Sequence, residues 1–88
     1  MDLSIIILNY YNKNLVKELL NNIKKLNLKY DYEVLVVDNA SYDGVDEVVK
    51  KYSEVKFIQS KKNKGFAYGN NLGIKESSGK YILICNPD

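Results

Sequence analysis

The fold prediction starts from Tyr81-Ile82-Leu83-Ile84-Cys85, which is followed by Asn86-Pro87-Asp88. The first five residues are apolar in character, do not alternate with polar ones and are too few for a helix, so they predict a fully buried strand. Pro87 has no amide hydrogen to donate, and the strand is expected to end before it. Asp88 therefore follows the carboxyl end of a core strand, at the edge of an α/β sheet where ligands bind.

Three more segments have the composition of buried parallel strands. They are Leu3 to Leu8, Tyr32 to Val37 with Asp38 closing it, and Val55 to Gln59. Apolar residues at helical spacing lie between the strands: Leu15 to Leu26, Val45 to about Tyr52, and about Phe66 to Ser77. The third helix is expected to end at Ser78-Gly79, with Gly79 in the left-handed conformation that suits glycine.

The order of these segments is β-α-β-α-β-α-β, with short connections. This alternation predicts an α/β fold: a three-layer sandwich with a mostly parallel sheet, right-handed crossovers and helices on both faces. At 88 residues the chain is one small domain, residues 1–88.

The charge composition excludes several classes of function. Thirteen lysines stand against eleven acids, and the chain has neither arginine nor histidine. Without arginine a protein that reads nucleic-acid bases is not expected, and without histidine the commonest acid/base group is absent. Any metal site would be built from oxygen atoms, which favours Mg²⁺ or Mn²⁺. The single cysteine, Cys85, is expected to pack as a small buried hydrophobe.

The amino-terminal apolar run is about six residues long and follows an acid, Asp2, so it is neither a signal peptide nor a membrane span. We expect a cytoplasmic protein that can lie peripherally at the inner face of the membrane.

Polar residues follow all four predicted strands. They are Asn9-Tyr10, Asp38-Asn39, the loop Lys61 to Gly65, and Asn86-Pro87-Asp88. In a doubly wound sheet these positions converge on one rim, which indicates a binding site. The alternative is that such rims carry polar loop residues whatever the protein does.

Several of these residues have a structural interpretation beside the functional one. Asp38 could accept a hydrogen bond from a nucleobase or a ribose, or it could cap its own turn. Asp43 is better explained as a helix cap than as a ligand contact. Lys61, Lys62 and Lys64 could attract phosphate, or they could form a solvated loop.

Gly65, Gly69 and Gly73 are spaced by four residues, which is not the dinucleotide-binding fingerprint. Gly69 and Gly73 are predicted to let the third helix pack closely on the sheet. Gly65 stands at the start of that helix, where the backbone could approach a ligand.

Four segments taken together resemble the family-2 glycosyltransferases of GT-A fold. They are Ser4 to Tyr10, Val36 to Gly44, Asn63 to Asn71, and Asn86-Pro87-Asp88. They occur in the family's order and at its spacing. The resemblance implies strand order 3-2-1-4, a truncated Rossmann-like half of the GT-A fold, and inverting transfer of a sugar from a nucleotide diphosphate sugar to an acceptor.

The resemblance also implies roles for individual residues. The positions that match nucleotide-binding ones are Asn9, Tyr10, Asp38, Ser41, Asn63, Lys64, Gly65 and Asn86. Asp88 matches the last acid of the metal motif, which binds a divalent cation (Mg²⁺ or Mn²⁺) at the diphosphate. The implied partners are a UDP- or dTDP-sugar and a glycan acceptor, with no nucleic acid.

The sequence departs from the family pattern in two places. Asn86 stands where the family has an acid, so it keeps a carbonyl acceptor but loses the charge. Family members with Asn-Pro-Asp often resemble rhamnosyltransferases or other enzymes of cell-surface polysaccharides. The family's catalytic base and acceptor-binding half lie downstream of this motif, so no catalytic residue is assigned and the chain is expected to be a donor-binding half, inactive alone.

An unpaired last strand is expected to form homo-oligomers through its apolar edge. An alternative function is a non-catalytic nucleotide-binding or assembly module that pairs this edge with another chain. A nucleotidyltransferase of similar fold is disfavoured, because Asn9-Tyr10-Tyr11-Asn12 is not rich in glycine and arginine.

Overall fold

Runs of β-branched and apolar residues form four strands, and helices connect them. The computed structural model describes residues 1–87. The strands are β1 (Leu3–Asn9), β2 (Tyr32–Asp38), β3 (Val55–Gln59) and β4 (Tyr81–Cys85), and the helices are α1 (Lys13–Lys25), α2 (Val45–Val49) and α3 (Phe66–Glu76). All seven predicted elements are present, although α2 is shorter than predicted. No helix in the described part of the chain is both long and apolar enough to cross a bilayer.

All four strands run parallel, in the order β3-β2-β1-β4. On β1, Ile5 is paired with Val34 on one side and with Leu83 on the other. The predicted α/β class and the strand order are both confirmed. Because parallel strands end at the same edge of a sheet, the loops that follow them share one edge, called here the carboxyl rim. The opposite edge, where the strands begin, is the amino rim.

The two central strands, β1 and β2, bury both of their faces. One face packs under α1 and α2 and comprises Ile5, Ile7, Val34 and Val36, with Val16, Leu20, Ile23, Val45 and Val49 from the helices. The other packs under α3 and comprises Ile6, Leu8, Leu35 and Val37. Alternate residues of a strand point to opposite faces, so β1 and β2 supply residues to both cores of the predicted three-layer sandwich. Leu15 and Leu26, assigned to the apolar stripe of α1, are exposed.

The glycines of α3 let that helix approach the sheet, as predicted. A Cβ atom at Gly69 would lie 2.6 Å from Leu8 Cδ1, and one at Gly73 would lie 2.6 Å from Ile6 Cγ2. Real Cβ atoms are essentially never that close to another heavy atom. The close packing positions the start of α3 at the carboxyl rim.

The prediction that β4 is fully buried is wrong for this structure. Tyr81, Ile82, Leu83 and Ile84 are between 41% and 67% exposed. Among the described residues β4 pairs only with β1, so one of its edges and much of both its faces are uncovered. A continuous apolar run identifies a strand but does not distinguish a central strand from an outer one. Cys85, also predicted to be buried, is half-buried against the α1 side of the core, and its burial raises the pKa of the thiol.

A buried carboxylate, that of Glu33, organises the amino rim. The Ser4 hydroxyl and the Ser78 amide both donate to Glu33 Oε2, each at 2.6 Å, and Lys56 Nζ donates to Oε1 at 3.1 Å. The Gly79 amide donates to Ser4 Oγ at 2.7 Å. This network joins the first residues of β1 and β2 to the connection between α3 and β4.

Gly79 was predicted to be left-handed, and this is wrong. Positive φ values among the glycines occur at Gly44 and Gly65. At Gly79 a Cβ atom would instead lie 2.5 Å from the backbone nitrogen of Ser4. Glycine is therefore required by the close approach of two backbone segments.

Candidate functional site

The carboxyl rim encloses an open cleft of about 290 Å³. Residues that follow all four strands contribute to its lining. The lining residues are Leu8, Tyr10, Asn12, Asn39, Asn63, Gly65, Phe66, Asn86 and Pro87. The cleft therefore has an amide-rich wall with two aromatic side chains, which suits a ligand with both a flat ring and hydrogen-bonding groups.

Asp38, the last residue of β2, is fully buried and accepts four hydrogen bonds. Its Oδ1 atom accepts from Ser41 Oγ at 2.5 Å and from Asn9 Nδ2 at 3.0 Å. Its Oδ2 atom accepts from the Tyr42 amide at 2.9 Å and from Gln59 Nε2 at 3.0 Å. The carboxylate thus joins the ends of β1, β2 and β3. It also caps its own turn, which was the structural role predicted for Asp38 beside the ligand-binding one.

The pKa of Asp38 reflects a balance between burial and hydrogen bonding. Burial raises the pKa, and the hydrogen bonds from Ser41, Tyr42, Gln59 and Asn9 lower it. The hydrogen bonds outweigh burial and hold the pKa below its ordinary value. Asp38 is therefore a fixed negative charge directly beneath the cleft at neutral pH.

Asn9, the last residue of β1, is also fully buried. Its Nδ2 atom donates to Asp38 Oδ1 and, at 3.1 Å, to Asp43 Oδ1, while its Oδ1 atom accepts from the Asn12 amide at 3.1 Å. Asp43 Oδ2 accepts from the Lys13 amide at 3.2 Å and so caps α1 from another loop. Asn12 occupies the N-cap position of α1, and its side chain makes no cap hydrogen bond.

Asp43 also contacts α2, whose cap it was predicted to be. Its Oδ1 atom accepts from the Val45 amide at 3.1 Å, although Gly44 occupies the N-cap position. The predicted structural role of Asp43 is therefore supported, and it extends to two helices.

Three non-glycine residues with positive φ all lie on the carboxyl rim. They are Tyr11 (57°), Ala40 (63°) and Tyr42 (50°). Backbone strain of this kind persists only where surrounding contacts fix it, and it concentrates at functional sites. The turns expose Tyr11 and Tyr42, and Tyr11 packs edge-on against Tyr10 with ring centroids 4.7 Å apart. Tyr10, a predicted nucleotide-binding residue, lines the cleft, and Tyr11 supports its ring from outside the lining.

Asn39 was predicted to lie at this rim but was not among the predicted nucleotide-binding residues, and the structure places it in the lining of the cleft. Its Nδ2 atom donates to Asn63 Oδ1 at 3.1 Å, and the Gly65 amide donates to the same oxygen at 2.9 Å. Asn63 thereby fixes the start of α3 against the loop after β2. Gly65 has a φ of 97°, and apart from its chain neighbours no atom of residues 1–87 lies within 4 Å of the position a Cβ atom would occupy. The backbone at Gly65 is therefore open to the cleft, as its predicted role requires.

The predicted nucleotide-binding residues fall into three groups. Those that line the cleft are Tyr10, Asn63, Gly65 and Asn86. Those buried beneath it are Asn9, Asp38 and Ser41. Lys64 lies outside the cleft lining, with its Nζ atom 5.2 Å from the centroid of the Tyr68 ring.

The predicted metal ligand, Asp88, lies outside the described residues. Within residues 1–87 no three acidic, histidine or cysteine side chains form a group that could hold a metal ion. The part of the cleft nearest the chain's last strand offers the side-chain amide of Asn86, whose oxygen is the kind of donor that Mg²⁺ and Mn²⁺ accept. This donor chemistry fits a hard divalent cation, and the site itself stays a prediction.

Comparison with known proteins identifies the family. The sequence model of Glycosyl transferase family 2 matches residues 4–88. The chain belongs to this family. Its resemblance to the family-2 glycosyltransferases, inferred from four short segments, is thereby confirmed.

Relatives support the same assignment over the full length of the chain. It is 34% identical over 90 residues to the uncharacterized glycosyltransferase YwdF of Bacillus subtilis, covering all of this chain and 33% of that protein. It is 31% identical over 93 residues to the poly(ribitol-phosphate) beta-N-acetylglucosaminyltransferase TarS of Staphylococcus aureus, covering 16% of that protein. The chain spans between 9% and 33% of the length of the curated relatives described by these comparisons.

Solved structures show the same fold. A crystal structure of S. aureus TarS residues 1–349 with UDP-GlcNAc superposes with a TM-score of 0.90 at 31% identity, over 100% of this chain and 27% of that one. The mannosyltransferase PcManGT of Pyrobaculum calidifontis, with GDP-Man and Mn²⁺, gives a TM-score of 0.88 at 27% identity, over 98% and 27% of the two chains. The chain therefore has the GT-A fold of proteins that bind nucleotide sugars.

Proposed function

We propose that this chain is the donor-binding part of an inverting glycosyltransferase that uses a nucleotide diphosphate sugar. The observation that carries the proposal is the cleft at the carboxyl rim. It is lined by residues that follow each of the four parallel strands. Ligands of open α/β sheets bind at this edge. Relatives of the same fold have been solved with UDP-GlcNAc and with GDP-Man.

The cleft residues have complementary roles in this proposal. Tyr10 offers an exposed ring for a base or a sugar, and the amides of Asn63 and Asn86 offer donors and acceptors. The open backbone at Gly65 lets a ligand approach closely. Lys64 neighbours Gly65 in the same loop, so its long side chain can swing from Tyr68 toward a diphosphate.

The buried residues hold the shape of the cleft. Asn9, Asp38 and Ser41 use their polar atoms on one another and on the surrounding backbone. We propose that they bind the nucleotide indirectly, by fixing the loops after β1 and β2 before the ligand arrives. A site fixed in advance loses less entropy on binding.

We propose that Asp88, with Asn86 beside it, holds Mg²⁺ or Mn²⁺ at the donor diphosphate. Bound there, the cation would neutralise charge that develops on the leaving nucleoside diphosphate. PcManGT carries Mn²⁺ together with its GDP-Man, which supports this assignment. Asn86 contributes a neutral oxygen, so we expect weaker metal affinity than a pair of carboxylates would give.

We further propose UDP- or dTDP-sugars, including a rhamnosyl donor, as substrates and a glycan as the acceptor. The resemblance to the family implies a catalytic base downstream of the Asn86-Pro87-Asp88 motif, and we assign that role to no residue of this chain. The 88-residue chain is therefore expected to bind a donor without transferring its sugar.

Calorimetric titration of the chain with UDP, dTDP and GDP, each with and without Mn²⁺, tests the proposal. We expect metal-dependent binding of a uridine or thymidine nucleotide, weakened at least tenfold by Asp88→Asn. Asp31→Asn is the matched control, because it makes the same chemical change at an exposed acid on the amino rim. Absence of nucleotide binding under every condition would overturn the proposal, and binding that Mn²⁺ does not alter would remove Asp88 from it.

The assembly-module alternative is favoured by a specific observation, the exposed apolar surface of β4. Under this alternative the outer edge of β4 pairs with another strand, which in a solution of this chain alone is a second copy. Light scattering should then show dimers at high concentration, and Ile84→Lys should restore the monomer. A monomer at every concentration would contradict self-association. Nucleotide-sugar turnover by a longer polypeptide that contains this chain would favour the enzyme over the assembly module.

A further inference from the structure

Positive charge is concentrated in one segment of the chain. Residues 55–75 contain five lysines and no acid, which gives this segment a formal charge of +5. The remaining residues carry eight lysines against eleven acids, a formal charge of −3. The segment comprises β3, the loop after it and nearly all of α3. The small net charge of the chain therefore conceals a strongly polarised molecule.

Three of these lysines form one surface with an aromatic side chain, and a fourth is placed beside them by helical spacing. Lys61, Lys62, Lys64 and Tyr68 line a shared shallow depression beside Leu72. Lys75 lies seven residues after Tyr68, which places it on the same face of α3. We call Lys61, Lys62, Lys64, Lys75 and Tyr68 the basic face.

The lysines of the basic face are exposed and have no acidic partner among residues 1–87. The fifth lysine of the segment, Lys56, differs because it donates to the buried Glu33. Tyr68 is 38% exposed and Leu72 is half-buried, so apolar surface lies between the charges. Unpaired lysines beside partly exposed apolar side chains match the two parts of a lipid interface, anionic headgroups and the apolar layer beneath them.

One loop carries both the basic face and a wall of the cleft. Asn63 and Gly65 line the cleft, and Lys61, Lys62 and Lys64 line the depression that Tyr68 shares. A surface bound to the basic face would therefore contact the same loop that forms a wall of the cleft.

We propose that the basic face binds the surface of an anionic lipid bilayer. The inference uses none of the residues that line the cleft. It shares Lys64 with the nucleotide proposal, so the test below leaves Lys64 unchanged. The chemistry favours a membrane over a nucleic acid, because lysine acts as a point charge and the chain has no arginine for bidentate contacts with bases or phosphates. It favours a membrane over an acidic protein, because the charges are spread over a loop and a helix and the depression between them is shallow and open.

Co-sedimentation of the full 88-residue chain with phosphatidylglycerol/phosphatidylcholine vesicles tests the proposal. The test variant is K61Q/K62Q/K75Q, which leaves Lys64 in place because of its candidate role at the cleft. The matched control is K17Q/K24Q/K25Q, which removes the same charge from exposed positions on α1. At roughly fivefold per lysine, the test variant should bind on the order of 100-fold more weakly.

We expect salt-sensitive binding to anionic vesicles, little binding to pure phosphatidylcholine, and near-normal binding by the control variant. Tyr68→Ala should weaken vesicle binding about threefold or more without altering binding to soluble polyphosphate. Equal losses in the two triple variants would reduce the effect to net charge and overturn the proposal. The proposal would also be overturned if the chain bound polyphosphate as tightly as vesicles and Tyr68→Ala changed neither affinity. That result would indicate a surface that binds polyanions in general. No vesicle binding by the wild-type chain would end it outright.

Discussion

Each end of β2 carries a buried carboxylate, and the two carboxylates lie in different surroundings. Glu33, at the amino rim, and Asp38, at the carboxyl rim, are both held by neighbouring side chains and backbone amides. Burial raises the pKa of each carboxyl, but the hydrogen bonds lower it by more, so both pKa values lie below their ordinary values. In Glu33 the charge of Lys56 adds to the hydrogen bonds.

The difference lies in what surrounds each carboxylate. Glu33 joins β1 and β3 to the segment before β4, and the approach of Gly79 to Ser4 closes that side. Asp38 lies at the carboxyl rim, which carries the open cleft and whose turns include three non-glycine residues with positive φ. A buried, hydrogen-bonded carboxylate therefore stabilises the fold at both rims, and at the carboxyl rim it also supports the cleft that we propose as the nucleotide site. A buried, hydrogen-bonded acid is by itself no evidence of a ligand site. The open cleft and the strained turns of the carboxyl rim are what indicate one.

The strongest test of this comparison removes each carboxylate. Asp38→Ala should lower the free energy of unfolding by about 4 kcal/mol, because four hydrogen bonds at about 1 kcal/mol each are lost. Glu33→Ala should lower it by about 3 kcal/mol for three such bonds. Urea denaturation measures both, with the exposed Glu54→Ala as a control expected to stay within about 0.5 kcal/mol.

Nucleotide affinity separates the two rims where stability does not. In the milder variants Asp38→Asn and Glu33→Gln, which should remain folded at low temperature, we expect UDP affinity to fall at least tenfold only for Asp38→Asn. Equal affinity losses in the two variants would contradict the division between a structural rim and a binding rim.

Local patterns in the sequence predicted the elements well, and the reason is physical. Strands such as β1 are runs of apolar residues, and the helices have apolar residues at helical spacing, so each can be recognised within about ten residues. The spacing of Gly69 and Gly73 likewise predicted the close packing of α3. The strand order came from resemblance to a family, because local pattern does not specify which strands become neighbours.

The features that escaped prediction depend on distant residues. Glu33 is 45 residues from Ser78, and Ser4 is 75 residues from Gly79, so nothing near either residue reveals the network. The apolar run of β4 predicted full burial wrongly, because burial depends on the elements that cover a strand. The unpaired edge of β4 was predicted only from the resemblance to the family. At the carboxyl rim the sequence identified the polar residues. It did not reveal that Asn9 and Asp38 lie beneath the cleft while Asn39 and Tyr10 line it.

Two glycines give a second, smaller test of the rims. Gly79→Ala should cost about 2 kcal/mol of stability, since its Cβ atom would press on the Ser4 backbone. Gly65→Ala should cost about 1 kcal/mol, because the positive φ is unfavourable although the space is open. Thermal and urea unfolding measure both costs. UDP affinity should fall only for Gly65→Ala; a loss for folded Gly79→Ala instead would show that the amino rim influences the cleft.

The smallest expected effect is the dependence of stability on pH. Because the pKa values of Glu33 and Asp38 are lowered in the folded chain, the unfolded chain takes up protons first as the pH falls. Their stabilisation is therefore complete above about pH 5 and declines below about pH 4, where carboxyls in an unfolded chain protonate. Urea titrations between pH 7 and pH 3 should show a shallower decline in Glu33→Gln and in Asp38→Asn than in the wild-type chain. If the comparison of the rims is right, Glu33→Gln flattens the profile while leaving nucleotide affinity at neutral pH unchanged, and Asp38→Asn alters both. A wild-type profile that stays flat to pH 3 would contradict the lowered pKa values and, with them, the view that both carboxylates are charged in the folded chain.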